Sequence, residues 1–138
     1  MTKSTAASSP PHFQRLHHIA ILSSGYERAK DFYVRILGFR ILQETHRVER
    51  QSWKLDLVGE GDLQIELFSF PNPPRRPTRP EACGLRHLAF AVADLDAAVA
   101  HLVAKGVAVE PIRTDEFTGK RFTFFKDPDD LPLELYER

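Results

Sequence analysis

A chain of 138 residues with 19 Lys and Arg against 19 Asp and Glu carries a formal net charge of +0, so no global field directs it to nucleic acid or an anionic membrane, and any electrostatic function must be local. The length suits one compact domain, or two small modules that share a core. A single cysteine, Cys83, excludes an intramolecular disulfide and a thiolate metal cluster within one chain, which points to a reducing compartment and makes the cytoplasm the expected location.

Residues 1–14 open with a stretch rich in Ser, Thr, Ala and Pro that has the pattern of neither a signal peptide nor a transit peptide, and predict a disordered tail. No apolar run approaches the roughly 20 residues needed to cross a bilayer, so a soluble protein is expected. Leu16 to Leu22 reads as a strand, and Ser23-Ser24-Gly25 as a turn. Ala29, Phe32, Tyr33, Ile36 and Leu37 then fall at helical spacing over Tyr26 to Leu37, and Gly38 stands where helices commonly end. Strands are predicted over Phe39 to Glu44, Trp53 to Val58 and Leu63 to Phe70, the last two joined by the turn Gly59-Glu60-Gly61-Asp62.

A Pro- and Arg-rich stretch over residues 71–84 is stiffened toward an extended form and reads as a linker. Beyond it the order β-α-β-β-β returns: a strand over Arg86 to Val92, a helix capped by Asp94 and closed by Gly106, and strands over Val107 to Arg113, Arg121 to Phe125 and Pro132 to Tyr136. The chain therefore divides into a first module (15–70), the linker (71–84) and a second module (85–138), which together form one domain over 15–138.

The two modules repeat a phrase. Leu16-His17-His18-Ile19-Ala20-Ile21 returns as Leu85-Arg86-His87-Leu88-Ala89-Phe90; Glu66 follows His18 by 48 residues, and Glu134 follows His87 by 47. A duplication that carries a His and a Glu at matched spacing proposes one site built from equivalent halves, a set of donors suited to a divalent cation. Strand alternation supports this, because His18 and Ala20 oppose Ile19 and Ile21, while Glu66 opposes Ile65 and Leu67; the second copy behaves alike. One face is aliphatic and suited to a helix, and the other displays the His and the Glu. A lone strand His or Glu is more often structural or solvated, but two carboxylates on one enclosed face need compensating positive charge, which a metal supplies. By parity His17 belongs to the aliphatic face and is the weaker candidate; His12, His46 and His101 have no counterparts and read as structural or solvent-facing. Arg75, Arg76 and Arg79 read first as a solvated loop and second as an attractor of an anionic substrate. Trp53, Phe122 and Phe124 are assigned either to the cup or to the core, since parity without register cannot place them.

His17-His18-Ile19-Ala20, Phe32-Tyr33 with Leu37-Gly38-Phe39, Gly84 to Phe90, and Asp127-Pro128-Asp129 leading to Glu134 resemble the signposts of the vicinal oxygen chelate (VOC) superfamily. This group includes glyoxalase I, bleomycin resistance proteins, fosfomycin resistance enzymes, methylmalonyl-CoA epimerase and extradiol dioxygenases, and the resemblance covers nearly the whole chain from Leu16. Within it, Ile65 to Pro71 and Arg121 to Phe125 resemble stand-alone YaeR-type proteins. The resemblance implies an α+β fold of two tandem βαβββ modules whose mixed sheets curl into a metal-holding cup, formed within one chain or across two, with a homodimer expected.

The same resemblance carries metal ligands onto His18, Glu66, His87 and Glu134, a set similar to that of bacterial glyoxalase I. Dioxygenases and fosfomycin-type enzymes generally lack an acidic residue at the second position, and the epimerase has Gln, so Glu66 favours the glyoxalase-like branch. The Arg and Asn expected of glutathione-dependent members four residues after the first and second ligands are here Leu22 and Phe70, which argues against a glutathione thioester product. The implied function is a lyase or isomerase dependent on a divalent cation (Ni²⁺, Co²⁺, Mn²⁺, Fe²⁺ or Zn²⁺) and acting on a small α-oxo or α-hydroxy carbonyl compound through a metal-stabilised enediolate. Glu134 is the expected base, and Glu66 the ligand that shares in reprotonation. Two rivals stay open: an Fe²⁺ dioxygenase using His18, His87 and Glu134, and a metal- or small-ligand-binding protein without chemistry.

Overall fold

The computed structural model describes residues 9–138. Most of the predicted tail lies outside the described residues, and residues 9–18 form no helix or strand. Eight strands build two four-stranded sheets with the orders β1-β4-β3-β2 and β5-β8-β7-β6. The first contains β1 (Ile19–Ser23), β2 (Arg40–Arg47), β3 (Ser52–Val58) and β4 (Gln64–Ser69); the second contains β5 (Leu88–Val92), β6 (Arg113–Thr114), β7 (Arg121–Lys126) and β8 (Pro132–Glu137). Each sheet is mixed. The first strand of a module runs parallel to its last, β1 to β4 and β5 to β8, and the other pairings are antiparallel. A parallel pair needs a long crossover, and each module supplies it with a helix followed by two strands.

The helices owe their shape to identifiable residues. Helix α1 (Tyr26–Asp31) continues as a π-helical turn over Phe32–Ile36, where the Leu37 amide donates to the Phe32 carbonyl at 2.9 Å. This wider turn sets Phe32, Tyr33 and Ile36 all into the core. Gly38, at φ +85°, then reverses the chain through a conformation that is costly for a residue with a Cβ. Helix α2 (Leu95–Ala104) is capped as predicted, the Asp94 side chain accepting from the Ala97 amide at 3.0 Å.

The aliphatic faces of both sheets and the buried sides of the helices meet in a single core. Leu55, Leu57, Ile65 and Leu67 of the first module join Leu95, Leu133 and Leu135 of the second, each such side chain contributing about 1.5–3 kcal/mol by leaving water. Aromatic contacts stitch the seam, Phe32 against Phe125 and Phe39 against Phe90. Polar bonds lock it: Tyr33 donates to Asp127 at 2.8 Å, His101 Nε2 donates to the Ile36 carbonyl at 2.7 Å, and the Ser24 amide donates to Asp129 at 3.0 Å. Because both aliphatic faces turn toward this shared core, the opposite face of each sheet looks away from it.

Two sequence readings, both of strand bounds, are corrected, and the linker gains contacts that its sequence did not show. The strand expected over Val107 to Arg113 shrinks to Arg113–Thr114, because Pro111 lacks an amide for the ladder and the Glu110 carbonyl is taken by the Thr123 hydroxyl at 2.6 Å. The first strand begins at Ile19 rather than Leu16. The linker packs on the second module: Thr78 donates to the Asp130 carbonyl at 3.0 Å, Arg79 pairs with Asp130 at 3.2 Å, and Arg76 donates to the Leu85 and Arg86 carbonyls. Among the described residues no helix is long and apolar enough to cross a membrane.

Candidate functional site

Register explains how the duplicated residues meet. Ala20 lies opposite Glu66 on the parallel pair β1·β4, and Ala89 opposite Glu134 on β5·β8. The imidazole two residues before each alanine stands beside the carboxylate that the alanine faces. His18 Nε2 stands 3.3 Å from a Glu66 oxygen, and His87 Nε2 stands 3.5 Å from a Glu134 oxygen. The glutamates are the more enclosed partners, with side chains 18% and 13% exposed against 38% and 26% for the histidines. Two ligand atoms at ~2.1 Å from one cation and at right angles to each other lie about 3 Å apart, so each pair has the spacing of neighbouring metal donors, and its chemistry suits a borderline divalent ion.

The two pairs do not meet within one chain. Each occupies the outer face of its own sheet, and among the described residues no three His, Cys, Asp or Glu side chains converge. Large apolar side chains stand open beside the first pair, with Leu22 47% and Phe70 39% exposed on the face that carries Glu66.

His17 departs from the parity expectation. Because β1 starts at Ile19, strand alternation does not reach it; the ring is exposed and its Nδ1 lies 2.9 Å from His18 Nδ1, edge-on to that imidazole. It thus holds the nitrogen of His18 that faces away from Glu66, the place where a metal-binding histidine commonly takes an orienting partner. His46 stacks on Trp53, His101 ties the seam, and His12 is exposed.

Register also settles the aromatic residues. Trp53 lies on the core side, stacked on Tyr26. Phe124 pairs with Glu134 on the outer face and stands edge-on to His87 at 5.1 Å, while Phe122 stacks on Tyr136 beside it. Three cations escaped the sequence reading. Lys54 lies opposite Phe68 and reaches Asp56 at 3.3 Å and Glu66 at 3.9 Å. Arg47 and Arg113 each lay a guanidinium over two phenyl rings, Phe68 and Phe70 in one module and Phe122 and Phe124 in the other. The alternation of Lys54 with Leu55 was a legible signal, but its neighbour became known only with the strand order.

A two-module α+β fold with duplicated imidazole–carboxylate pairs on facing-out sheets defines a class of small cup-forming domains. The chain belongs to the Glyoxalase/Bleomycin resistance protein/Dioxygenase superfamily, whose profile matches residues 15–135. It is 66% identical to the uncharacterized protein YwkD of Bacillus subtilis over 123 residues, covering 89% of this chain and 96% of YwkD. It is 61% identical to the uncharacterized protein YaeR of Escherichia coli over 125 residues, covering 91% and 97%. The crystal structure of a glyoxalase family protein from Enterococcus faecalis superposes with a TM-score of 0.85 at 50% identity, covering 91% of this chain and 98% of that one.

Proposed function

We propose that two copies of this chain form a glyoxalase I-like lyase or isomerase that acts on a small α-oxo or α-hydroxy carbonyl compound with a divalent cation. The observation that carries the reading is the pair of imidazole–carboxylate contacts, 3.3 and 3.5 Å, repeated at equivalent register on two sheets. His18 and Glu66 of one copy and His87 and Glu134 of the other complete the donor set, which accounts for the outward direction of both pairs. The open apolar residues beside them, Leu22 and Phe70 among them, are surface that a homodimer would cover.

His18, Glu66, His87 and Glu134 would hold a divalent cation, which would supply Lewis-acid polarisation of the substrate carbonyl. The rest falls to the chain. Glu134, the most enclosed of the four, takes the proton from the carbon next to the carbonyl, and Glu66 shares in returning it on the other side. Phe122 and Phe124 keep water from the carboxylate of Glu134, and Phe124 holds the His87 ring edge-on. Lys54 stands 3.9 Å from Glu66 and places a positive charge at the rim of the site. Leu22 and Phe70, standing where glutathione-dependent relatives carry polar anchors, argue against a glutathione adduct as substrate.

Metal analysis of the parent purified without chelators, beside His18→Ala and Glu66→Ala, tests the reading. Stoichiometric cation in the parent, its loss in both variants, and turnover of an α-oxo aldehyde with or without a thiol under Ni²⁺, Mn²⁺ or Fe²⁺ support it. A parent that stays metal-free after reconstitution overturns it.

A further inference from the structure

Arg47 is a half-buried cation without a counter-ion. Its Nη2 donates to Ser52 Oγ at 2.9 Å, while its Nε has no exposed surface and no acceptor. The guanidinium rests over Phe68 at 5.1 Å and Phe70 at 5.6 Å, and it makes no ion pair among the described residues. Stacking on aromatic faces offsets part of the cost of removing a guanidinium from water, but an unsatisfied buried donor beside an uncompensated charge is the pattern left by a missing anionic partner.

Arg113 provides the internal comparison. It lies on the corresponding edge strand and covers two rings at the same distances, 5.1 and 5.6 Å. Its side chain is 54% exposed, however, and its charge is met by Glu110 at 3.8 Å. Nearer the candidate metal ligands, Lys54 is likewise occupied by Asp56 and Glu66. Arg40, opposite Val58 on the same face, also lacks an ion pair but is exposed to water; among the described residues of this face Arg47 is the half-buried cation whose charge is unanswered.

Its position gives the missing anion a role. Arg47 pairs with Ser52, Lys54 with Phe68, and Asp56 with Glu66, so all share the face that bears His18. Phe68, under the guanidinium, follows Glu66 by two residues on one strand, a separation of about 7 Å. We infer that Arg47 anchors a carboxylate or phosphate at the far end of a short substrate whose oxo or hydroxy carbonyl end lies at His18 and Glu66. This rests on the function proposed above and narrows its substrate class to anionic oxo or hydroxy compounds. Planar bidentate pairing suits a guanidinium to either anion.

The test uses acid pairs that share a metal-binding end and differ at the tail: 2-hydroxyglutarate against 2-hydroxypentanoate, and 3-phosphoglycerate against glycerate. Each is titrated calorimetrically into the parent, Arg47→Met, Arg47→Lys and Arg113→Met, with and without added Ni²⁺, and bound nickel is counted separately. Arg47→Met keeps the apolar stem over the rings, and the near-ultraviolet circular dichroism of each variant checks folding. In the parent the charged-tail member of at least one pair should bind tenfold or more tighter than its neutral partner; which pair it is separates carboxylate from phosphate. That preference should vanish in Arg47→Met, survive in reduced form in Arg47→Lys and persist in Arg113→Met. Equal affinity for charged and neutral tails in the parent, or a preference that survives Arg47→Met, overturns the anchor while leaving the cation site standing. Absence of bound nickel with an Arg47-dependent preference intact counts against the cation site and supports the anchor.

Discussion

The Tyr33 hydroxyl donates to the Asp127 carboxylate at 2.8 Å across the seam between the two modules, joining residues 94 positions apart. Tyr33 is fully buried on the π-helical turn, and Asp127 is nearly so at the bend between β7 and β8. The other Asp127 oxygen accepts from the amides of Asp129 and Leu131 at 2.8 and 2.9 Å, so one carboxyl group organises the bend and holds the opposite module to it.

Tyr33→Phe removes this bond without leaving a cavity. A buried hydrogen bond to a charged group contributes roughly 1.5–3 kcal/mol, and urea unfolding should register a loss of about 2 kcal/mol. Bound metal per chain should not change, since the seam lies behind the sheets that carry the ligands. A stability equal to the parent's would remove the bond from the account of how the modules adhere.

Asp127 also predicts a pH dependence. Burial pushes its carboxyl above the usual range, partly opposed by the bonds it accepts from Leu131, Tyr33 and Asp129. A carboxyl with a raised folded pKa contributes stability that is fully present below the unfolded value, near 3.9, and is lost as pH rises through the folded value. Asp31, Glu44, Glu81, Asp96, Asp115 and Glu137 are held below their usual ranges and act in the opposite sense, but they are common to parent and variant. The stability of the parent relative to Asp127→Asn should therefore decline as pH rises above about 4 and then level off. Parallel curves for the two proteins from pH 3.5 to 7 would contradict this.

A site shared between chains predicts complementation. His18→Ala and His87→Ala should each be inactive alone. Unfolded together and refolded as an equal mixture, half of the dimers are mixed, and each mixed dimer has one intact site, so about a quarter of the parental activity should return. No recovery despite confirmed mixed dimers would place the complete site within one chain.

Removing the proposed base should separate binding from chemistry. Glu134→Gln keeps the shape and one oxygen donor but cannot take a proton, and positioned general bases are typically worth about 10²–10⁴-fold. Turnover should fall within that range while the cation remains partly bound. Unchanged turnover would assign proton transfer to another group, with Glu66 next in line.

The sequence by itself determined the modules and the faces of their strands. Period-two alternation around Glu66 and Glu134, and along the strands that begin just after His18 and His87, is a local property fixed by the backbone geometry of an extended chain, so aliphatic and polar faces were legible without knowing which strands are neighbours. The Asp94 cap was legible for the same reason. Tertiary structure alone decided what depends on pairing and packing: the 3.3 and 3.5 Å contacts between residues 48 and 47 positions apart, and the sides taken by Trp53, Phe122 and Phe124. Loss of the strand before Arg113 turned on a proline at a position where the neighbouring strand had its own bond to offer Glu110. The separation of the two imidazole–carboxylate pairs was decided last, because it follows from both aliphatic faces seeking one core, and burial of apolar surface carries no direction until the modules meet.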